Sequence, residues 1–270
     1  MTNIIGQAKL TSIINSYTKQ TLPKTLMLVG PSGCGKHTIA KCIAEKFELD
    51  YVEIEENVSS TDLDEFLFST IDTLYVINLN KFSEKQQNQF LKFIEEPSKS
   101  VYTVLIANSE VNVLPTVLNR CTKYNFESYT IEQLERITNA HINELAFKIF
   151  KTPGKLLNLT DSSFNDLLAL GKKVVAKIAY ATYANTLTIA TKINYKDLYS
   201  KVDFNLFFDV VEYLALEDFK NNNSHTSLTI FKVTNKFKQY ATQQNLLKEA
   251  LMLNYLTTLW EAIHIDANRT

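Results

Sequence analysis

Thr25-Leu26-Met27-Leu28-Val29-Gly30-Pro31-Ser32-Gly33-Cys34-Gly35-Lys36-His37-Thr38 is the stretch that decides the fold. Its apolar run, closed by a glycine, predicts a strand buried on both faces. Gly30 to Lys36 then fits the first seven positions of the P-loop pattern, and Thr38 to Lys46 reads as the helix that should follow. Glycines let the backbone curl so that successive N–H groups point at one phosphate. The helix N-terminus adds positive potential, and Lys36 reaches the outer phosphates. A tight Gly-rich turn with a chance lysine is the plainer alternative, but it does not require a strand before it and a helix after it.

The candidate nucleotide-binding residues are therefore Gly30, Pro31, Ser32, Gly33, Cys34, Gly35, Lys36, His37 and Thr38. One position departs from the pattern. The residue after the lysine should carry a hydroxyl that ligates Mg²⁺, and here it is His37. Magnesium is a hard ion that prefers oxygen to imidazole nitrogen. Thr38 lies about 100° further around the helix and does not simply substitute. The expected cofactor is ATP or ADP, with Mg²⁺ coordination weakened.

Moving outward, apolar runs recur at Tyr51 to Ile54, Leu74 to Ile77, Val101 to Ala107 and Cys121 to Phe126, with helical stretches between several of them. That rhythm predicts a parallel sheet covered by helices. Ser83 with Gln86, and Thr130 with Gln133, are capping-box pairs. The first should open a helix running to about Glu95, because Pro97 disfavours helical geometry just before it. Beyond Phe126 the chain reads as helices, as in Leu246, Leu247, Ala250, Leu251 and Tyr255, with Asn221-Asn222-Asn223-Ser224 as a polar break. The expected class is α/β followed by all-α.

An ATPase of this type holds Mg²⁺ with an Asp at the end of a second apolar strand, and a following Glu polarises the attacking water. After Leu74-Tyr75-Val76-Ile77 this chain has Asn78, Leu79 and Asn80. An amide is not a base, and Leu79 offers nothing. Asp72 or Glu95 would have to stand in, and neither falls at the strand end. Self-sufficient hydrolysis is not expected.

The chain has 270 residues, 45% of them apolar, and a net charge of −1, which argues against a protein that coats nucleic acid on its own. No apolar stretch approaches the ~18 to 20 residues needed to cross a bilayer. Met1 to Gln7 lacks a signal-peptide pattern, so a cytoplasmic location is expected. Cys34, Cys42 and Cys121 are too scattered for a metal knuckle and read as reduced, mostly buried thiols.

Taken together, several stretches resemble the delta-prime and gamma/tau-type subunits of the bacterial DNA polymerase III clamp loader, within the AAA+ superfamily. Ile5-Gly6-Gln7 is similar to the family's opening box, and Asn88-Gln89-Phe90-Leu91-Lys92-Phe93-Ile94-Glu95-Glu96-Pro97 to its helix-ending Glu-Glu-Pro pattern. Leu114 to Cys121 resembles the stretch ending in Ser-Arg-Cys, with Asn119 in place of Ser. Lys151-Thr152-Pro153-Gly154-Lys155 resembles the Gly-Ser-Pro-Gly-Arg segment of the lid. The likeness is dense from about residue 4 to 126, thinner through the lid, and architectural after about 195. The zinc module of bacterial members has no counterpart here, so a phage or mobile-element version is as good a match as a chromosomal one.

This resemblance implies an AAA+ nucleotide-binding core over residues 1–128, a helical lid over 129–192 and a helical collar that oligomerises over 193–270. It implies that Asn108 is the polar sensor at the end of the fourth strand and that Lys155 is the basic sensor of the lid. Arg120 would be the arginine finger, the one catalytic group, reaching a neighbour's ATP site. The bland alternatives are a turn-forming Asn108, a helix-start Lys155 and a surface Arg120. Only three of the 28 cations are arginines, however, and Arg120 is placed where a planar, always-charged fork suits a phosphate.

The expected partners are other clamp-loader subunits, at least one with intact acids, a sliding clamp, and primed DNA through phosphate contacts, with no membrane. Ser83 and Lys85 are candidate DNA contacts; Lys232, Lys236 and Lys238 read as a solvated basic face. The leading expectation is a non-hydrolysing or weakly hydrolysing clamp-loader subunit that lends Arg120 to a neighbouring ATPase during DNA replication. Two alternatives remain at this point: an active AAA+ ATPase acting as a clamp or helicase loader, and a structural scaffold with a vestigial P-loop.

Overall fold

The computed structural model describes residues 4–54, 58–139, 142–178, 180, 182–186, 204–241 and 248–266. Their contacts divide the chain into two compact units, Met1–Asn139 with Lys151–Leu157, and Ala140–Phe150 with Asn158–Thr270.

The first unit is built on five parallel strands: β1 (Thr25–Val29), β2 (Asp50–Glu53), β3 (Thr73–Asn78), β4 (Val101–Ala107) and β5 (Thr122–Asn125), in the order β2-β3-β4-β1-β5. Every residue of β1 and β4 is buried, as expected of largely apolar strands covered on both faces. Alternate residues feed two separate cores. Leu26, Leu28, Leu74, Val76, Val104 and Ile106 pack against α1 (Ala8–Ser16) and α2 (Lys36–Phe47). Met27, Val29, Tyr75, Ile77, Leu105 and Ala107 pack on the opposite face against α3 (Ser60–Leu67), α4 (Glu84–Gln89) and α5 (Leu91–Glu95). Each fully buried Leu, Ile or Val contributes about 1.5–3 kcal/mol, so these two layers dominate the unit's stability.

The helix expected from Ser83 to about Glu95 ends where anticipated but is broken in two at Phe90. The Phe90 amide bonds to Gln87 O, three residues back, which tightens the turn. That sends the fully buried Phe90 ring edge-on against Phe82, with centroids 4.9 Å apart. Gln86 Oε1 accepts from Ser83 N at 3.0 Å, the return bond of a capping box, and also from Ser83 Oγ at 2.8 Å. The pair Thr130 and Gln133 likewise opens α7 (Ile131–Thr138).

The register places three termini side by side. Val29 pairs with Ala107 and Asn78 with Ile106, so the P-loop after β1, Asn108 after β4 and the Asn78 end of β3 share one edge of the sheet.

The second unit is helical in its described residues. It includes α8 (Glu144–Ile149), α10 (Asp161–Ile178; α9 belongs to the first unit) and three long helices, Phe204–Asn222, His225–Ala241 and Lys248–Asp266. Its core is aromatic: Phe207, Phe208 and Phe237 ring the fully buried Tyr255, whose hydroxyl pairs with Thr234 Oγ1 at 2.8 Å. Lys238 turns inward to Asp209 (2.6 Å) and Glu212 (2.5 Å), so it does not belong to the basic face formed by the exposed Lys232 and Lys236. The polar break is where expected, between Asn222 and His225. Leu246, Leu247 and the 192/193 boundary lie outside the described residues. No helix of the described residues is long and apolar enough to cross a membrane.

Candidate functional site

The P-loop leaves β1 at Gly30, and its curl depends on two glycines at positive φ, Gly33 (+80°) and Gly35 (+98°), a region that L side chains rarely occupy. Gly35 is also the residue from which α2 starts, so Lys36 stands at the first turn of a 12-residue helix.

Each carbonyl of the loop is engaged. Lys36 Nζ donates to Gly30 O (2.5 Å) and Pro31 O (2.9 Å). Thr152 Oγ1 donates to Ser32 O (3.0 Å), and Gly154 N to Gly33 O (2.8 Å). Tyr129 OH donates to Cys34 O (2.7 Å), and Ile39 N to Gly35 O (3.0 Å). Thr152 and Gly154 flank the start of α9 (Pro153–Leu156), whose chain belongs to the same unit as the loop. A Cβ on Gly154 would lie 2.7 Å from Gly33 Cα, so only glycine permits this approach. Sequence reading had named this segment for Lys155 alone. Its neighbours Thr152 and Gly154 touch the loop, and Lys155 is half-buried beside them.

Lys36 is the centre of the site. It is buried, and it reaches Asn108 Oδ1 at 3.2 Å as well as the two carbonyls. Burial pushes its pKa down, because the charged ammonium loses solvent and its oxygen partners are neutral. Asn108, expected to be a sensor, is thus brought to the P-loop lysine. Cys34 is buried beneath the loop with its sulfur 3.8 Å from Lys36 Nζ, and burial raises the thiol pKa. Thr38 is exposed on the helix surface.

Where two carboxylates would stand, a chain of amides runs instead. Asn78 Oδ1 accepts from Asn80 Nδ2 (2.7 Å) and Asn80 N (3.3 Å). Asn80 Oδ1 then accepts from Asn108 N (2.8 Å). The side chains of β3 and β4 are thereby linked to Lys36 through neutral groups. Leu79 does not face this network: it is 2% exposed and part of the apolar core. Asp72 pairs with Lys19 (2.7 Å) at the start of β3, away from its Asn78 end, and Glu95 pairs with Arg120. Neither stand-in acid reaches the amide end of the strand.

One carboxylate missed in the sequence does approach the loop. Glu53, the last residue of the edge strand β2, has Oε1 3.3 Å from His37 Nδ1 and accepts from Tyr51 OH at 2.5 Å. The Tyr51 hydrogen bond, then the charges of His37 and Lys41, hold the Glu53 carboxyl below its usual range. A Glu ending a half-exposed strand carries no local signal; only the sheet order places it beside His37.

The fit to Mg²⁺ is poor. The ion wants several hard oxygens, at least one of them usually carboxylate. The chain presents an imidazole at the hydroxyl position and a neutral amide at the Asp position, and Leu79 is buried. Among the described residues no group of three or more His, Cys, Asp or Glu is arranged to hold a metal ion. The residues present do not fit the metal.

Arg120 stands apart from Lys36, after the short helix α6 (Pro115–Leu118). Its Nε lies 2.5 Å from Glu95 Oε1 and its Nη1 donates to Thr116 O at 2.9 Å, with the side chain 41% exposed. At the unit's opening end, Gln7 is buried and fixed by reciprocal bonds, Gln7 Nε2 to Glu127 O and Glu127 N to Gln7 Oε1, both 2.9 Å. That ties the Ile5-Gly6-Gln7 box to the chain leaving β5.

Residues 64–130, about a quarter of the chain, match the family model described as DNA polymerase III, delta subunit. No curated protein is significantly similar in sequence. Among solved structures, a DNA polymerase III gamma subunit-related protein from Thermotoga maritima is 16% identical, with a TM-score of 0.49, over 95% of this chain and 99% of that one. The RuvB Holliday junction branch migration motor of Thermotoga maritima is 19% identical, with a TM-score of 0.47, over 62% of this chain. The present chain spans 64% of that RuvB chain. The family match begins within α3 and takes in the amide end of β3, the Glu-Glu-Pro stretch and the Arg120 turn.

Proposed function

We propose that this chain is a clamp-loader subunit that binds ATP or ADP at its P-loop, does not hydrolyse ATP unaided, and lends Arg120 to a neighbouring ATPase subunit. The observation that carries the reading is the amide chain Asn78–Asn80–Asn108–Lys36 with Leu79 sunk in the core. It offers no base for water, and its acceptors are neutral. To bind a phosphate, Lys36 exchanges its bonds to Gly30 O, Pro31 O and Asn108 for the ligand's oxygens, so Asn108 and Lys36 report occupancy together.

Arg120 supports the second half of the reading. Its guanidinium is held through Nε and Nη1 while the side chain remains 41% exposed. Such a pre-set fork suits a phosphate. In this scheme residues 129–192 act as the lid and 193–270 as the collar. The partners are further loader subunits with intact acids, a sliding clamp and primed DNA, and the setting is the cytoplasm.

In a complex reconstituted with a partner ATPase, Arg120→Ala should lower DNA-stimulated turnover by roughly 10³-fold while the ring still assembles. Unchanged turnover would remove the finger role.

A further inference from the structure

The disagreement between this site and Mg²⁺ has a constructive side. The residue that displaces the metal's hydroxyl ligand is not idle: His37 Nδ1 is set against Glu53 Oε1 at 3.3 Å, and Glu53 is itself fixed by the Tyr51 hydroxyl at 2.5 Å. With Nδ1 turned to Glu53, Nε2 is the ring nitrogen left for a ligand. The imidazole sits one residue past Lys36, in the first turn of α2, where the helix terminus already favours an anion.

We propose that the site binds nucleotide without a divalent ion, with a protonated His37 as phosphate-binding residue in the metal's place and Glu53 as its positioning residue. This rests on the nucleotide-binding reading above and adds the chemistry by which the phosphates are neutralised. A neutral imidazole with N–H on Nδ1 has only a lone pair on Nε2. Binding a phosphate therefore draws one proton from solvent onto Nε2, which then donates to a phosphate oxygen, while Nδ1–H keeps its bond to Glu53. The charged groups bearing on the ring are Glu53, with Tyr51 behind it, on β2, and Lys36 and Lys41 on α2; the neighbouring strand β3 ends in the neutral Asn78. The carboxylate offsets the two lysines and allows the third cation.

Calorimetric titration of the purified full-length chain with ATP and with ADP tests this, in Mg²⁺ and in EDTA, and in two buffers of different ionisation enthalpy. Affinity should agree within about twofold with and without the metal, a difference under 1 kcal/mol. Binding should take up a proton and weaken as pH rises. His37→Gln should abolish the uptake and weaken binding about tenfold. Glu53→Gln should keep the site but reduce the uptake. The double variant His37→Thr with Asn78→Asp should gain a dependence on Mg²⁺.

A wild-type chain that binds tenfold or more tightly with Mg²⁺, or equal proton uptake in wild type and His37→Gln, overturns this inference alone. No binding under any condition removes the nucleotide-binding reading along with it.

Discussion

Gly154 donates its backbone N–H to Gly33 O at 2.8 Å, far away in sequence, and the two glycines approach so closely that a methyl group on Gly154 would fall 2.7 Å from Gly33 Cα. The phosphate loop is therefore shaped partly by a segment that precedes α10, not only by its own glycines. Nucleotide affinity and the seating of residues 152–154 should be coupled.

Gly154→Ala should push the two backbones apart and cost about 1–3 kcal/mol, as overpacking typically does. The expected outcome is a lower melting temperature together with weaker nucleotide binding. Wild-type values for both would show that the contact is not needed.

Gln7→Ala should remove two hydrogen bonds at a residue only 1% exposed and leave Glu127 N and O without their partners. A loss of about 2 kcal/mol is expected, read as a lower urea midpoint at an unchanged slope.

Much of this architecture is legible in the sequence because its signals are local. β1 and β4 have the bounds that their largely apolar runs suggest, since burial on both faces favours apolar residues and admits few others, such as Thr25 and Thr103. β2 is displaced by one residue from its apolar run and β5 is one residue shorter than its run at each end, because edge strands are half-exposed and their ends are set by pairing. The P-loop and both capping pairs are readable for the same local reason, whereas Asn108 has no local motif and is named only through the resemblance. The roles of Glu53, Asn80, Thr152 and Tyr129 were not, because each depends on a partner brought close only by the sheet order or by the return of the chain. The break at Phe90 was also hidden: the ring's burial against Phe82 decides it, and the capping pair continues to signal a helix.

Lys36 gives stability a pH dependence of definite sign. Burial lowers its pKa in the folded chain, so between that value and the ordinary lysine pKa the unfolded chain binds more protons. This residue's contribution therefore penalises folding at lower pH and is relieved as pH rises through that window. Denaturant titrations of wild type and Lys36→Met across alkaline pH should diverge, with the upward slope absent in the variant. Parallel curves would mean that the ammonium is better solvated than its burial implies.

Arg120 and Glu95 form a half-exposed pair, 41% exposed on each side, so its contribution to folding should be small. Glu95→Gln should change the unfolding free energy by under about 1 kcal/mol. Its expected effect lies in the assembled complex, where a loosened Arg120 lowers partner turnover but leaves the KM for ATP unchanged. A large loss of stability would instead mark the pair as a structural tie.

The most direct measurement is phosphate release by the purified chain alone, with and without primed DNA, over many times the enzyme concentration of ATP. With amides at Asn78 and Asn80 and Leu79 in the core, no sustained release is expected beyond the Lys36→Ala background. Repeated turnover that vanishes in Lys36→Ala would contradict the account.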